Sequence, residues 1–155
     1  GAGVQIMAVE VAGQSGVGNP QFTLSYTNSD GTAGRTSQTV ACNTQVTTGT
    51  IITTANNTAG CSGPFIPLQI GDTGVRSIET VTFATGDVGL IAFVLVKPLA
   101  TMTLYDITAP SERDFFVDEY SAPVIKDDAY LNFICCPTGT ISAAAIHGTI
   151  ETIWI

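Results

Sequence analysis

The run Leu90 to Val96, LIAFVLV, is seven residues without a polar side chain, and it limits the fold more than any other stretch. Glycines at Gly86 and Gly89 precede it, and Lys97 and Pro98 follow. A short apolar run of branched and aromatic residues between such breaks reads as a strand covered on both faces. It is far too short to cross a bilayer as a helix, which takes about 20 residues. After the break, Met102 and Leu104 alternate with Thr101, Thr103 and Tyr105, as in a half-exposed strand. The stretch from Gly89 to Ile107 therefore predicts a buried strand, a turn and a second strand at the centre of a β domain.

The rest of the chain reads the same way. Val4 to Val11 is a first strand with imperfect alternation, and the glycines, Asn19 and Pro20 of GQSGVGNPQ mark a loop. Phe22, Leu24 and Tyr26 alternate with Thr23, Ser25 and Thr27, and the Asp30-Gly31 pair closes a turn that wants a positive φ. A loop-rich segment dominated by Thr, Gly and Ser follows at about 28–64, with weak strands expected because Thr favours extended chain. Leu68 to Ile70 predicts a short strand, and Val75 to Thr85 a longer one in which Ile78 has the opposite parity to Val75, Val81 and Phe83. Tyr130 to Cys136 predicts another strand, and Ile146 to Ile155 a last one whose tip, Ile153, Trp154 and Ile155, is apolar on both faces. The only helix candidate is Pro110 to Tyr120, about two turns. About eight strand-like segments separated by turns predict one all-β domain over residues 1–155, an antiparallel β-sandwich of the jelly-roll kind.

Chemistry is sparse. The chain has no zinc-type ligand spacing and a single histidine, His147. Gln14-Ser15-Gly16 lacks the second glycine of a nucleophile elbow, since Val17 stands there. No phosphate-binding glycine motif precedes a helix. The sequence thus predicts a protein that is not an enzyme and folds without a metal or cofactor. Thirteen acidic against five basic residues exclude a nucleic-acid backbone as partner, and no segment suits a membrane. Seven acids, Asp106, Glu112, Asp114, Asp118, Glu119, Asp127 and Asp128, crowd one stretch that also holds Phe115, Phe116 and Tyr120. Aromatics among acids suit a contact surface. Cys42 and Cys61 either bond to each other or stay reduced, and the adjacent Cys135 and Cys136 read as small apolar residues in separate environments. Only 12% of residues are charged, against about 25% in an average soluble domain. Part of the surface should therefore be covered by other protein, with self-association expected.

Between Ala109 and Ile155, APSERDFF, SAPVIKDDAYLNF and GTIETIWI occur in succession. Here the chain resembles small β-rich structural proteins of tailed bacteriophage particles, nearest to the jelly-roll cement or decoration proteins that bind outside a capsid shell. The resemblance implies a multimer on the capsid exterior that clamps the major capsid protein or another virion protein, with no catalytic residues. Phe115, Phe116, Tyr120, Ile153, Trp154 and Ile155 are the expected contact residues. The Thr/Gly-rich sequence and the Cys42 to Cys61 spacing also resemble bacterial pilins, which would imply an extracellular filament or adhesin. A carbohydrate-binding or hydrolytic β-sandwich is the third alternative.

Overall fold

The computed structural model describes residues 1–13, 21–42, 48–49, 51, 54–56, 62–84, 89–105, 109–118, 122–135 and 146–153, with backbone alone at 41–42, 54–56 and 62. Packing divides the chain into Gly1–Pro123 and Val124–Ile155.

The first unit is all-β, with two antiparallel sheets. The elements are β1 (Gln5–Ala12), β2 (Gln21–Asn28), β3 (Arg35–Thr36), β4 (Val40–Cys42), β5 (Thr54–Asn56), β6 (Ser62–Gly63), β7 (Val75–Phe83) and β8 (Leu90–Val96), followed by one helical turn, α1 (Phe115–Asp118). One sheet is β1 paired with β8; the other runs β3-β2-β4-β5-β6, with β7 on β2. The far side of β1 is occupied too: Ile66 N–H donates to Ile6 O at 2.9 Å and Val75 N–H to Val4 O at 3.0 Å, and Val9 bridges to Ile51.

The alternation in β2 sets the core. Phe22, Leu24 and Tyr26 point inward and are buried, and they meet Ile6 and Ala8 of β1, with Val40, Ile66 and Val75 completing the cluster. Phe22 joins the sheets: its ring centroid lies 5.6 Å from that of Phe83 on β7 and 5.6 Å from that of Phe93 on β8. Such offset and edge-on aromatic contacts add to area burial.

The parity break at Ile78 has a structural cause. Against β2, Phe22 faces Phe83, Leu24 faces Val81, Tyr26 faces Ile78 and Asn28 faces Val75. The register shifts between Ser25 and Tyr26 and again between Thr27 and Asn28, so Glu79 and Arg76 are each an extra residue on β7. A bulge inserts one unpaired residue and restores the side-chain phase. All four apolar residues of β7 thus lie opposite the inward positions of β2.

Several expectations are corrected. Leu90–Val96 is a strand, but it is not covered on both faces: Leu90 is 57% exposed and Val94 39%. It has one ladder partner, whereas a covered strand needs a second layer. Residues 101–105 form no second strand, and neither do 68–70, the described residues of the 130–136 stretch or 146–153. Alternation made these segments strand-like in sequence, but among the described residues none of them has a ladder partner. The helix is shorter than Pro110 to Tyr120, with one regular turn assigned over Phe115–Asp118. Among the described residues of the second unit there is no helix or strand; the Asp127-Asp128 turn is held by Ala129 N–H donating to Lys126 O at 3.0 Å.

Candidate interaction surface

The polar groups that gather in the first unit form a structural clamp. Asp72, with its side chain 3% exposed, accepts from Tyr26 OH at 2.5 Å, from Asn28 Nδ2 at 2.9 Å and from Arg35 Nε at 3.0 Å. The Tyr26 hydroxyl accepts in turn from Gln69 N–H at 2.8 Å. Asn28 Oδ1 accepts from the N–H groups of Asp30 and Thr32, closing the turn in which Gly31 takes φ 89°. The Arg35 hydrogen bond, with those from Asn28 and Tyr26, holds the Asp72 carboxyl down at about 2. Burial first, then the hydrogen bond to Asp72, pushes Tyr26 up to about 12. Each of these groups is engaged with another. The arrangement ties the β2–β3 turn to the 69–74 turn. On the outer face, Glu79 accepts from Thr27 Oγ1 and Ser25 Oγ, and those bonds lower its pKa, Thr27 contributing most.

The segment after β8 is built differently. Asp114 caps α1: its Oδ1 accepts from Phe116 N–H at 2.8 Å, while Asp118 Oδ2 accepts from Asp114 N–H at 3.0 Å. This is the reciprocal logic of a capping box. Arg113 reaches the Thr101 carbonyl at 2.6 Å and lies 5.8 Å from the centre of the Phe115 ring, a cation–π distance. Two acids of the cluster therefore serve the helix turn. A shallow open groove of about 420 Å³ runs beside Met102, Tyr105, Glu112 and Arg113.

Phe115 is half-buried, whereas Phe116 is 73% exposed. Ile153 is exposed as well. Tyr120, Trp154, Ile155 and Cys61 lie outside the described residues, as does the side chain of Cys42, so the proposed disulfide does too. Cys135 is an exposed free thiol and His147 is exposed. Among the described residues no three His, Cys, Asp or Glu side chains gather to hold a metal, and no helix is long and apolar enough to cross a membrane.

Sequence reasoning missed the extent of the apolar surface. None of the described residues from Lys97 to Ile153 is buried. Met102, Leu104, Tyr105, Val117, Val124, Tyr130 and Phe133 are exposed in addition to Phe116 and Ile153. The signal was present as alternating or clustered apolar residues, but periodicity says which residues share a face and not whether that face is covered. No protein family, no curated protein and no solved structure matches the chain.

Proposed function

We propose that the protein is a structural subunit, one whose work is the burial of surface between protein chains. The particular reading is a virion component: a capsid cement or decoration subunit on the exterior of a phage head, bound to the major capsid protein or a neighbouring virion protein. The observation that carries it is the set of large apolar side chains left exposed among the described residues from Lys97 to Ile153, in a chain whose buried polar cluster is spent on holding a turn. Single exposed apolar residues are ordinary, but exposure on the scale of Met102, Leu104 and Tyr105 in the first unit, and of Val124, Tyr130 and Phe133 in the second, is what a contact surface presents. The resemblance of residues 109–155 to phage structural proteins supplies the setting.

The jelly-roll form of the fold belongs to this proposal. It is supported by the pairing of β1 with β8, the first and last strands among the described residues, in one antiparallel sheet, since jelly-roll winding brings distant strands together. No metal, cofactor or reaction is invoked. Each anchor such as Phe116 contributes about 1.5–3 kcal/mol when fully buried, and a standard interface takes about 800 Å² from each partner. The exposed acids Glu112, Asp127 and Asp128 favour a basic partner surface and salt-sensitive attachment.

The test is occupancy of particles by the double variant Phe115→Ala, Phe116→Ala. The variant should fold normally and bind particles at least tenfold more weakly, the effect of losing a contact anchor of about 2 kcal/mol. Wild-type occupancy would remove these anchors from the proposal. Electron microscopy that finds the protein only in filaments, or free and turning over substrate, would replace the capsid reading itself.

A further inference from the structure

Among the described residues of the first unit, every strand lies between Gln5 and Val96. The buried cluster runs from Ile6 to Val75, and the apolar residues packed against it, Leu68, Ile78, Val81, Ile91 and Phe93, end at β8. The clamp around Asp72 draws on Tyr26, Asn28, Arg35 and Gln69. The start of the chain is tied in by Gly3 N–H donating to Thr73 O at 2.9 Å and Val75 N–H to Val4 O at 3.0 Å. Sheets, core and clamp are thus all made from residues before Lys97.

After Val96 the bonding is local. Arg113 Nη1 donates to Thr101 O at 2.6 Å and Ser111 Oγ to Thr103 O at 3.4 Å, so the approach to Arg113 lies back on 101–103. Asp114 and Asp118 cap α1 on the other side. The peptide bond between Arg113 and Asp114 therefore falls between two locally bonded pieces, with Arg113 over the Phe115 ring as a contact across it. None of the described residues from 97 to 118 belongs to a ladder. Cleavage inside a strand has to wait for that strand to open, whereas cleavage here does not. The five basic residues sort by the same boundary. Arg35 lies in β3 with its Nε on Asp72, and Arg76 lies in β7. Lys97 is followed by Pro98, whose ring blocks that bond to trypsin. Arg113 and Lys126 remain, both outside any strand.

We infer that residues 1–96 are a self-sufficient β body and that the Arg113–Asp114 bond is a cleavage site, where a protease of trypsin-like specificity cuts the chain without unfolding that body. Arg113 keeps its bond to Thr101 on the near side of the cut, and α1 keeps its capping pair on the far side. One cut also parts Phe115, Phe116 and Ile153 from the body. On the structural-subunit reading, on which this last step rests, those are contact residues, so cleavage takes away the means of attachment and leaves a folded protein behind.

Limited trypsin digestion of the intact chain, read by mass spectrometry, tests this. Gly1–Arg113 should accumulate, with cuts after Arg35 and Arg76 at least about tenfold slower. Purified Gly1–Arg113 should keep its β-type circular dichroism and melt within about 2 °C of the intact chain. Earlier cuts in β3 or β7, no cut after Arg113, or a clipped product that melts lower than this would each overturn the inference. The variant Arg113→Gln provides a second readout. It should escape trypsin at this bond, while a glutamate-specific protease still cuts it after Glu112 before Glu10 of β1 or Glu79 of β7; first cuts in those strands would overturn the placement. Purified Gly1–Arg113 should also bind phage particles at least about tenfold more weakly than the intact chain, and equal binding would overturn the release step. A chain that is clipped as described but never found on particles would defeat the proposed function and leave the self-sufficient body standing. A chain that occupies particles but is cut first within its sheets would do the reverse.

Discussion

Replacing Tyr26 by Phe removes one oxygen atom from the best-connected polar site in the protein. That oxygen donates to Asp72 at 2.5 Å and accepts from Gln69 N–H at 2.8 Å, on a side chain that is 0% exposed. A neutral hydrogen bond contributes about 1 kcal/mol net and one to a charged group about 1.5–3 kcal/mol. Gln69 is exposed, so water can take over its N–H, and Asp72 keeps Arg35 and Asn28. The expected loss is therefore about 2 kcal/mol, or roughly 4–8 °C in melting temperature for a chain of this size. Urea unfolding of Tyr26→Phe, Asp72→Asn and the double variant measures it, and the two changes should be less than additive because they delete one bond. The pH profile gives an independent readout. Asp72 falls from an ordinary 3.8 to about 2, so the unfolded chain takes up its proton first, and stability declines as pH drops through that window. Tyr26 rises from 10.0 to about 12, so the unfolded chain loses its proton first, and stability declines as pH climbs from 10 towards 12. Tyr26→Phe should erase the alkaline decline that the wild type shows. A loss below about 0.5 kcal/mol, within the range of neutral surface changes, or an unchanged alkaline limb, would refute the clamp as described.

Two further substitutions probe the packing. Phe22→Ala should cost about 3–5 kcal/mol in urea unfolding, because its ring packs on Phe83 of one sheet and Phe93 of the other; a loss under about 1 kcal/mol would mean that the rest of the core holds the sheets together without it. Gly74→Ala should cost about 1–3 kcal/mol in thermal unfolding, since its Cβ would collide with Gly1 O and crowd Gly3 N, while Gly63→Ala, with open space around it, should be neutral.

The strands that sequence reasoning located best are those whose pattern and partner agree. In β2 the alternation of Phe22, Leu24 and Tyr26 both predicts a strand and names its buried face. In β7 the odd parity of Ile78 looked like a flaw in the pattern, yet it is the sequence trace of the bulges at Glu79 and Arg76. Thr101 to Tyr105 shows the limit: its alternation matches a strand, but pairing needs a second segment in register, which local sequence does not specify. The clamp at Asp72 was invisible for a related reason. Its partners lie 37 to 46 residues away, and nothing near Asp72 in the chain announces them. The exposure of Phe116 and Ile153 was legible because one stands among acids and the other at a two-faced tip. The open side of β8 at Leu90 and Val94 was read as covered because seven apolar residues in a row do not say which of them meet a second layer.

The bulges on β7 also bear on whether the edge of this sheet could template another strand. Two long strands, β7 and β8, have a side without a ladder among the described residues. Along β7 that side is interrupted twice, each time at a charged residue, Arg76 and Glu79, and irregular charged edges do not template another strand. Along β8 it is unbroken and uncharged. Runaway fibre growth through the sheets requires a receptive border at both ends of the unit, and here one border is blunted. A strand added at β8 would therefore find no regular border at β7 on which to repeat, and concentrated solutions should stay free of strand-stacked aggregate even though so much of the chain is apolar.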